Sequence, residues 1–213
     1  MSVKTRREEN AEATRDALIQ QASLLFAESG FNNTSLSKVA ELTRVTKGAV
    51  YHHFESKEDI FSACYRKQAN AVAATVGKVK LSGDSWLDTI KQCEVYLDCA
   101  LTGDDVGIPI QEAITVLGWT RWRKLDEECT MGLLIQTIDN LKAEKLLKPY
   151  TTSLLVDAIY GILINANMSV VSAKDKKQAR DELLLLIQDF MMGVMTESAR
   201  DKLLTKALPS MKV

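Results

Sequence analysis

Proline, histidine and cysteine are scarce in this sequence. Few prolines favour helices, and few histidines and cysteines argue against metal sites and disulfides. The 213 residues include three Pro, two His and four Cys. The cysteines form no Cys-x-x-Cys pair and have few histidines to help them, which argues against a zinc site or a disulfide framework. Such usage suits a reducing compartment, so we expect a cytoplasmic protein.

The sequence also lacks an excess of charge of either sign and a long unbroken apolar run. Lys and Arg number 27 and Asp and Glu 28, for a formal net charge of −1. This balance excludes a uniformly basic coat, so any binding to DNA must use a local surface. The basic N-terminus has no apolar stretch behind it, and the longest apolar region, 154–171, is broken by Asp157, Asn165 and Asn167. We therefore expect neither a secretory signal nor a membrane partner.

The sequence carries no catalytic motif. His52 and His53 are adjacent, so on a helix they point about 100° apart and cannot serve one centre. We find no nucleophile elbow, Walker loop, dinucleotide fingerprint or His-Glu-x-x-His motif. Glu112 and Asp157 are candidates for buried carboxylates, although nothing in the sequence pairs either with a partner. We expect no enzyme activity, no metal site and no cofactor.

What the sequence does contain is helical periodicity almost throughout, and the fold class predicted is all α. Residues 14–28 carry apolar side chains at helical spacing, and Gly30 follows as a typical helix end. A capping box at residues 56–59 begins a longer helix. We predict a flexible basic arm at 1–10, a small DNA-binding domain at 11–55 and a larger helical regulatory and dimerisation domain at 56–213.

Residues 35–54 predict a helix-turn-helix. Thr34 can cap a first short helix, and Thr46 can cap a second in which Val50 and Phe54 lie four residues apart. The connection 43–45 is tight, as this motif requires.

The second helix has an unusual outer side. Opposite Val50 and Phe54 fall Gly48, Ala49 and His52, a poorly solvated surface that suits close approach to a major groove. Other residues are placed to hold the phosphate backbone and fix register. These are Thr34, Thr46, Lys47, Tyr51 and Lys57. An ordinary solvated helix surface remains the alternative.

Residues 45–61, together with 27–31 and 34–40, resemble the signature of TetR/AcrR-type transcriptional regulators. The resemblance implies a three-helix DNA-binding domain, a helical regulatory domain, a homodimer, a palindromic operator and a repressor. It also implies DNA contacts by Lys47, Tyr51, His52 and Lys57. Members of this family often have glycine where this chain has Arg44. A left-handed arginine there costs about 1 kcal/mol but adds a cation near the phosphates.

Two later helices have wide apolar surfaces. Residues 154–164 are apolar on most of their circumference, which predicts burial on two sides, and residues 183–194 have a broad apolar face. A homodimer interface would cover these surfaces, and core packing in a monomer is the alternative. The predicted interface residues are Leu155, Ile159, Gly161, Ile162, Leu186, Phe190 and Val194.

The middle region, residues 86–147, is rich in large polarisable side chains that would suit an apolar or aromatic effector. The predicted pocket residues are Trp86, Cys93, Tyr96, Trp119, Trp122 and Met131. For any one of them, plain packing is the simpler interpretation.

A second possibility is that the signal is a protein partner rather than a small molecule. In either case the helix that begins at Ser56 would couple the two domains.

Overall fold

The structure is a computed structural model that describes residues 5–101 and 107–207, and within these ranges the chain is built from α-helices. The helices are α1 Arg6–Asn33, α2 Leu36–Thr43, α3 Lys47–His53, α4 Lys57–Gly77, α5 Ser85–Asp98, α6 Ile110–Leu117, α7 Trp119–Asp126, α8 Gly132–Ala143, α9 Thr152–Ser172, α10 Lys176–Gly193 and α11 Glu197–Ala207. A π-helical turn, Glu127–Met131, joins α7 to α8. The described part of the chain has no strand, only an isolated bridge between Leu147 and Met195, so the all-α prediction is confirmed.

The first helix begins earlier than its apolar pattern indicates. Thr5 accepts a hydrogen bond from the Glu8 N–H at 3.3 Å, and the Glu8 carboxylate accepts from the Thr5 N–H at 2.7 Å. This reciprocal capping box starts α1 at Arg6. Residues 6–10 of the expected basic arm are therefore helical, and residues 1–4 lie outside the described residues.

Gly30 interrupts α1 as the sequence predicts. Its φ of 75° and ψ of 168° break the helical path before the last residues of the element. This conformation is open to glycine and strained for other residues. The break turns Phe31 back onto α1 and α4, where its ring lies 5.9 Å from that of Phe26 and 5.2 Å from that of Phe61.

The chain divides into two compact units whose boundaries differ from the expected residues 55 and 56. The first contains the described residues of Met1–Ala71 and Asp104–Cys129, and the second contains those of Val72–Gly103 and Thr130–Val213. Helices α6 and α7 thus belong with the N-terminal helices.

Hydrogen bonds within the first unit explain why α6 and α7 pack there. The Gln68 side-chain amide accepts from the Ile108 N–H at 2.8 Å and donates to the Ile108 carbonyl at 3.0 Å. The buried Tyr65 hydroxyl donates to the buried Asp126 carboxylate at 3.1 Å. Gly107 passes so close to the Gln68 amide that a Cβ there would collide with it. These contacts join the segment before α6, and α7 itself, to α4.

The second unit has its core between α5, α8, α9 and α10. Helix α9 supplies seven buried residues, from Leu155 to Val170. By length and composition α9 could cross a membrane, but the core helix of a soluble unit passes the same test. Arg180 links α10 to α5, because its guanidinium lies 2.7 Å from the Asp98 carboxylate and 3.1 Å from the Glu94 carboxylate.

Candidate nucleic-acid interface

Helices α2 and α3 are joined by a tight left-handed turn at Arg44. Arg44 has φ 60° and ψ 37°, and its N–H donates to the Glu41 carbonyl at 3.1 Å. The next N–H, that of Val45, donates to the Ala40 carbonyl at 3.0 Å. Thr46 then caps α3, since its hydroxyl accepts from the Ala49 N–H at 3.2 Å. The expected helix-turn-helix is therefore present, with an arginine where glycine would carry no steric cost.

The cap of α2 is Ser35, and the prediction that Thr34 caps this helix was wrong. The Ser35 hydroxyl accepts from the Lys38 N–H at 3.2 Å. Thr34 is only 4% exposed, and its hydroxyl donates to the carbonyls of Gly30 and Leu25 at 2.8 and 3.1 Å. Thr34 therefore stabilises the break in α1, and Ser35 is the exposed hydroxyl at this position.

The small-residue side of α3 faces outward. Val50 and Phe54 are 0% and 1% exposed, whereas Gly48 and His52 are exposed and Ala49 is half-buried. Tyr51 is half exposed beside them. The outer side of α3 therefore carries the residues that the sequence predicts to face the groove.

Cations of the first unit lie against aromatic rings in and around the motif. The Lys47 ammonium is 5.9 Å from the ring centroid of Tyr51, which lies four residues later on the same side of α3. The Lys57 ammonium lies 4.3 Å from the Phe31 ring centroid at the start of α4. Arg15 of α1 stacks its guanidinium 4.8 Å above the Phe54 ring. Lys47 and Lys57 therefore supply cations at the starts of α3 and α4, and a chain of near-zero net charge needs such local cations to bind DNA.

The two histidines differ in environment. Their ring centroids are 5.4 Å apart, with planes at 70°. Burial lowers the pKa of His53 below its ordinary value, and the charges of His52 and Arg15 lower it further. A neutral imidazole is therefore the expected form of His53 at pH 7. Among the residues that the structure describes, no three His, Cys, Asp or Glu side chains form a group able to hold a metal.

The six residues predicted for an effector pocket fall into two sets. Cys93 belongs to the core of the second unit, with Trp86, Tyr96 and Met131 packed against it. Trp119 and Trp122 belong to the first unit, where their ring centroids lie 5.2 Å apart. Trp122 is fully buried, and Trp119 is largely exposed. The two sets separate because the unit boundaries fall between residues 103 and 104 and between residues 129 and 130.

Burial also governs the chemistry of Cys93, the cysteine predicted for the pocket. It raises the pKa of the Cys93 thiol to about 12, and that of Cys64 in the first unit to about 11. Both thiols therefore stay protonated at pH 7 and behave as small apolar groups.

The residues predicted for the dimer interface are only partly on the surface. Leu155 and Ile159 are buried in the core of their own chain, so they have no exposed side-chain area for a partner. Gly161, Ile162 and Val194 are half-buried. Leu186 is 61% and Phe190 37% exposed. Leu154 and Leu185, which the prediction omitted, are exposed as well.

Comparison with known proteins matches both parts of the chain. The family model described as bacterial regulatory proteins, tetR family, matches residues 18–64. A second model, described as the tetracyclin repressor-like C-terminal domain, matches residues 86–194, which is about half of the chain. The protein belongs to the TetR family.

Similarity to individual TetR-family proteins extends over most of the chain. The Transposon Tn10 TetC protein of Escherichia coli is 27% identical over 194 residues, which cover 91% of this chain and 98% of TetC. A TetR-family regulator from Pectobacterium atrosepticum has the same fold, with a TM-score of 0.73, 24% identity and coverage of 91% and 99%. RolR, solved with its ligand resorcinol, also has this fold, with a TM-score of 0.66, 20% identity and coverage of 91% and 94%.

Membership in the TetR family makes this chain a DNA-binding transcriptional regulator. Its helix-turn-helix lies inside the matched N-terminal segment, and proteins with this motif place the second helix in the major groove. In this TetR-family member that helix is α3.

The left-handed turn generates a test. We expect Arg44→Gly to raise the free energy of unfolding by about 1 kcal/mol, because glycine adopts φ 60° without steric cost. The same change should weaken DNA binding, since it removes a cation beside α3. Urea unfolding and DNA titration measure the two effects. Arg44→Ala is the matched control, because it removes the cation but keeps the strain. Equal stability of the two variants would contradict this account.

Proposed function

We propose that the protein is a cytoplasmic homodimeric repressor that binds a palindromic operator through α3 and is released by a small apolar or aromatic effector. The observation that carries the DNA-binding part is the orientation of α3, whose Gly48 and His52 are exposed while Val50 and Phe54 are buried. A repressor is favoured by the tetracyclin repressor-like match over residues 86–194.

Each exposed residue has a distinct role in this proposal. Gly48 lets the backbone approach the groove, and Ala49 contacts a thymine methyl. His52 donates to, or accepts from, a base edge. Lys47 and Tyr51, together with Thr46, contact phosphates and so position the helix without reading sequence.

These roles predict different consequences for Lys47 and His52. Lys47→Ala should weaken binding to every duplex and lower the slope of log K against log salt by about one unit for each phosphate that it leaves without a cation. His52→Ala should instead change the preference among sequences. The operator is first selected from random duplexes with the wild-type protein, and both variants are then titrated against it and against its single-base variants.

Lys174→Ala is the control for the loss of a charge. Lys174 is an exposed lysine of the second unit, so its removal should leave the salt slope unchanged. A salt slope that Lys47→Ala does not alter would contradict the phosphate role of Lys47. A wild-type protein that enriches no sequence at all would contradict the proposed operator.

The exposed apolar stripe of α10 supports a homodimer. Leu186 and Phe190 are four residues apart and so lie on one side of the helix, where water contacts them in the single chain. Exposed apolar patches on soluble proteins mark interaction surfaces. A second copy related by two-fold symmetry buries the same stripe from both chains and presents two copies of α3 to a palindrome.

Leu186→Glu tests the dimer. A carboxylate buried at the interface without a partner is costly, so we expect the variant to sediment as a monomer at concentrations where the wild type is a dimer. Operator affinity should fall with it, because one α3 makes half of the contacts. Leu87→Glu is the control, since Leu87 is also exposed but lies on α5. Dimers that persist in Leu186→Glu would place the interface elsewhere.

The second unit is the proposed site of the effector. Its Trp86, Tyr96 and Met131 are half-buried side chains at the edge of the apolar core, and such side chains combine apolar surface with polar groups able to orient a ligand. RolR, of the same fold, is solved with the small phenol resorcinol. The alternative signal, a protein partner, uses the same unit without a small molecule.

Phenols are the first compounds to screen as effectors. A phenol that binds near Trp86 should quench its fluorescence, and Trp86→Phe should remove that part of the quenching. The same ligand should weaken operator binding by about 5-fold or more, the usual lower range of allosteric coupling. A ligand that binds tightly without changing operator affinity contradicts its role as effector. Release of the operator by a protein alone would favour the alternative signal.

A further inference from the structure

The end of α1 is held by a residue of α6 that lies 81 positions away in the chain. After the break at Gly30, the Phe31 N–H donates to the Glu112 carboxylate at 2.6 Å. A Cβ at position 30 would come within 3.1 Å of the same carboxylate oxygen. Glycine at this position therefore allows both the positive φ and the close approach of Glu112.

Phe31 and Asn32, the two residues after Gly30, hold the ammonium of Lys57. The Lys57 Nζ lies 4.3 Å from the centroid of the Phe31 ring and donates to the Asn32 carbonyl at 3.4 Å. The Phe31 ring is fixed in turn by the rings of Phe26 and Phe61. The position of the Lys57 charge at the start of α4 thus depends on the backbone of residues 31 and 32.

We propose that Glu112 is a positioning residue for DNA binding. By accepting from the Phe31 N–H, its carboxylate fixes the backbone against which the Lys57 ammonium rests, and so places that charge for a DNA phosphate. The inference rests on the proposed DNA-binding function and on the phosphate contact that the sequence predicts for Lys57. It assigns a part in DNA binding to α6, which lies outside the matched DNA-binding segment of residues 18–64.

Whether loss of Glu112 weakens or strengthens DNA binding separates a positioning role from simple charge repulsion. A carboxylate near DNA repels phosphates, so its removal alone would strengthen binding. Loss of the hydrogen bond to Phe31 would weaken binding instead. Glu112→Gln and Glu112→Ala both remove the charge, but only Gln keeps an oxygen that can accept from the Phe31 N–H.

The experiment is a double-mutant cycle in the full-length protein, with the duplex selected by the wild type. Lys57→Met should weaken binding and lower the salt slope. Glu112→Ala should weaken binding about three- to tenfold, the range of one hydrogen bond, whereas Glu112→Gln should stay within about twofold of the wild type. In a Lys57→Met background, Glu112→Ala should cause no further loss, because the two residues then act as one unit.

Amide exchange gives a readout that is independent of DNA. The Phe31 N–H should exchange faster in Glu112→Ala than in the wild type, and Glu112→Gln should restore the slow exchange. If Glu112→Ala fails to fold, Glu112→Asp is used instead. Aspartate keeps the charge but withdraws the acceptor oxygen from the Phe31 N–H by one methylene, so the same weakening of DNA binding is expected.

Three results would overturn the inference. They are equal affinities of Glu112→Ala and Glu112→Gln, the same loss from Glu112→Ala with and without Lys57, and a Lys57→Met variant that binds like the wild type. None of these results touches the proposed function, which the Lys47 and His52 variants test separately. A wild-type protein that selects no duplex would overturn both.

Discussion

The burial of Val50 and Phe54 is the interaction on which the DNA-binding surface depends. Helix α3 has seven residues, too few to be stable alone, so its orientation comes from packing. With these two side chains inside the first unit, the opposite side of the helix has to face outward. The cation of Arg15 lies over the Phe54 ring, so α1 also contributes to holding this end of the motif.

The same constraint explains why the sequence predicts which side of α3 is exposed. In a helix of two turns, two apolar residues four apart define the buried side, and the exposed side follows from helix geometry. Gly30 is similarly readable, because a glycine after an apolar helical segment commonly marks a helix end. The positive φ of Arg44 is suggested only by the family resemblance, since members often have glycine at that position. The membership of residues 45–61 in a known signature adds to this local information.

Other features could not be predicted because they depend on packing between distant segments. Thr34 and Ser35 are both good caps, and only the break at Gly30 decides that the Thr34 hydroxyl turns inward. Helix α9 is apolar nearly all round, so periodicity cannot tell that Leu155 and Ile159 face the core of their own chain. The partner of Glu112 is the backbone N–H of Phe31, 81 residues away in the chain, and no local pattern indicates this contact.

The double hydrogen bond between Gln68 and Ile108 has a consequence for how sequences of this kind can diverge. Because one amide recognises both the N–H and the carbonyl of Ile108, the segment that leads into α6 is fixed to α4 at this residue. Insertions or deletions ahead of Gly107 would leave this attachment unaltered, whereas those behind Ile108 would change the spacing between the attachment and α6. Natural variation in length should therefore concentrate before Gly107, with Gly107 and Gln68 changing together or not at all.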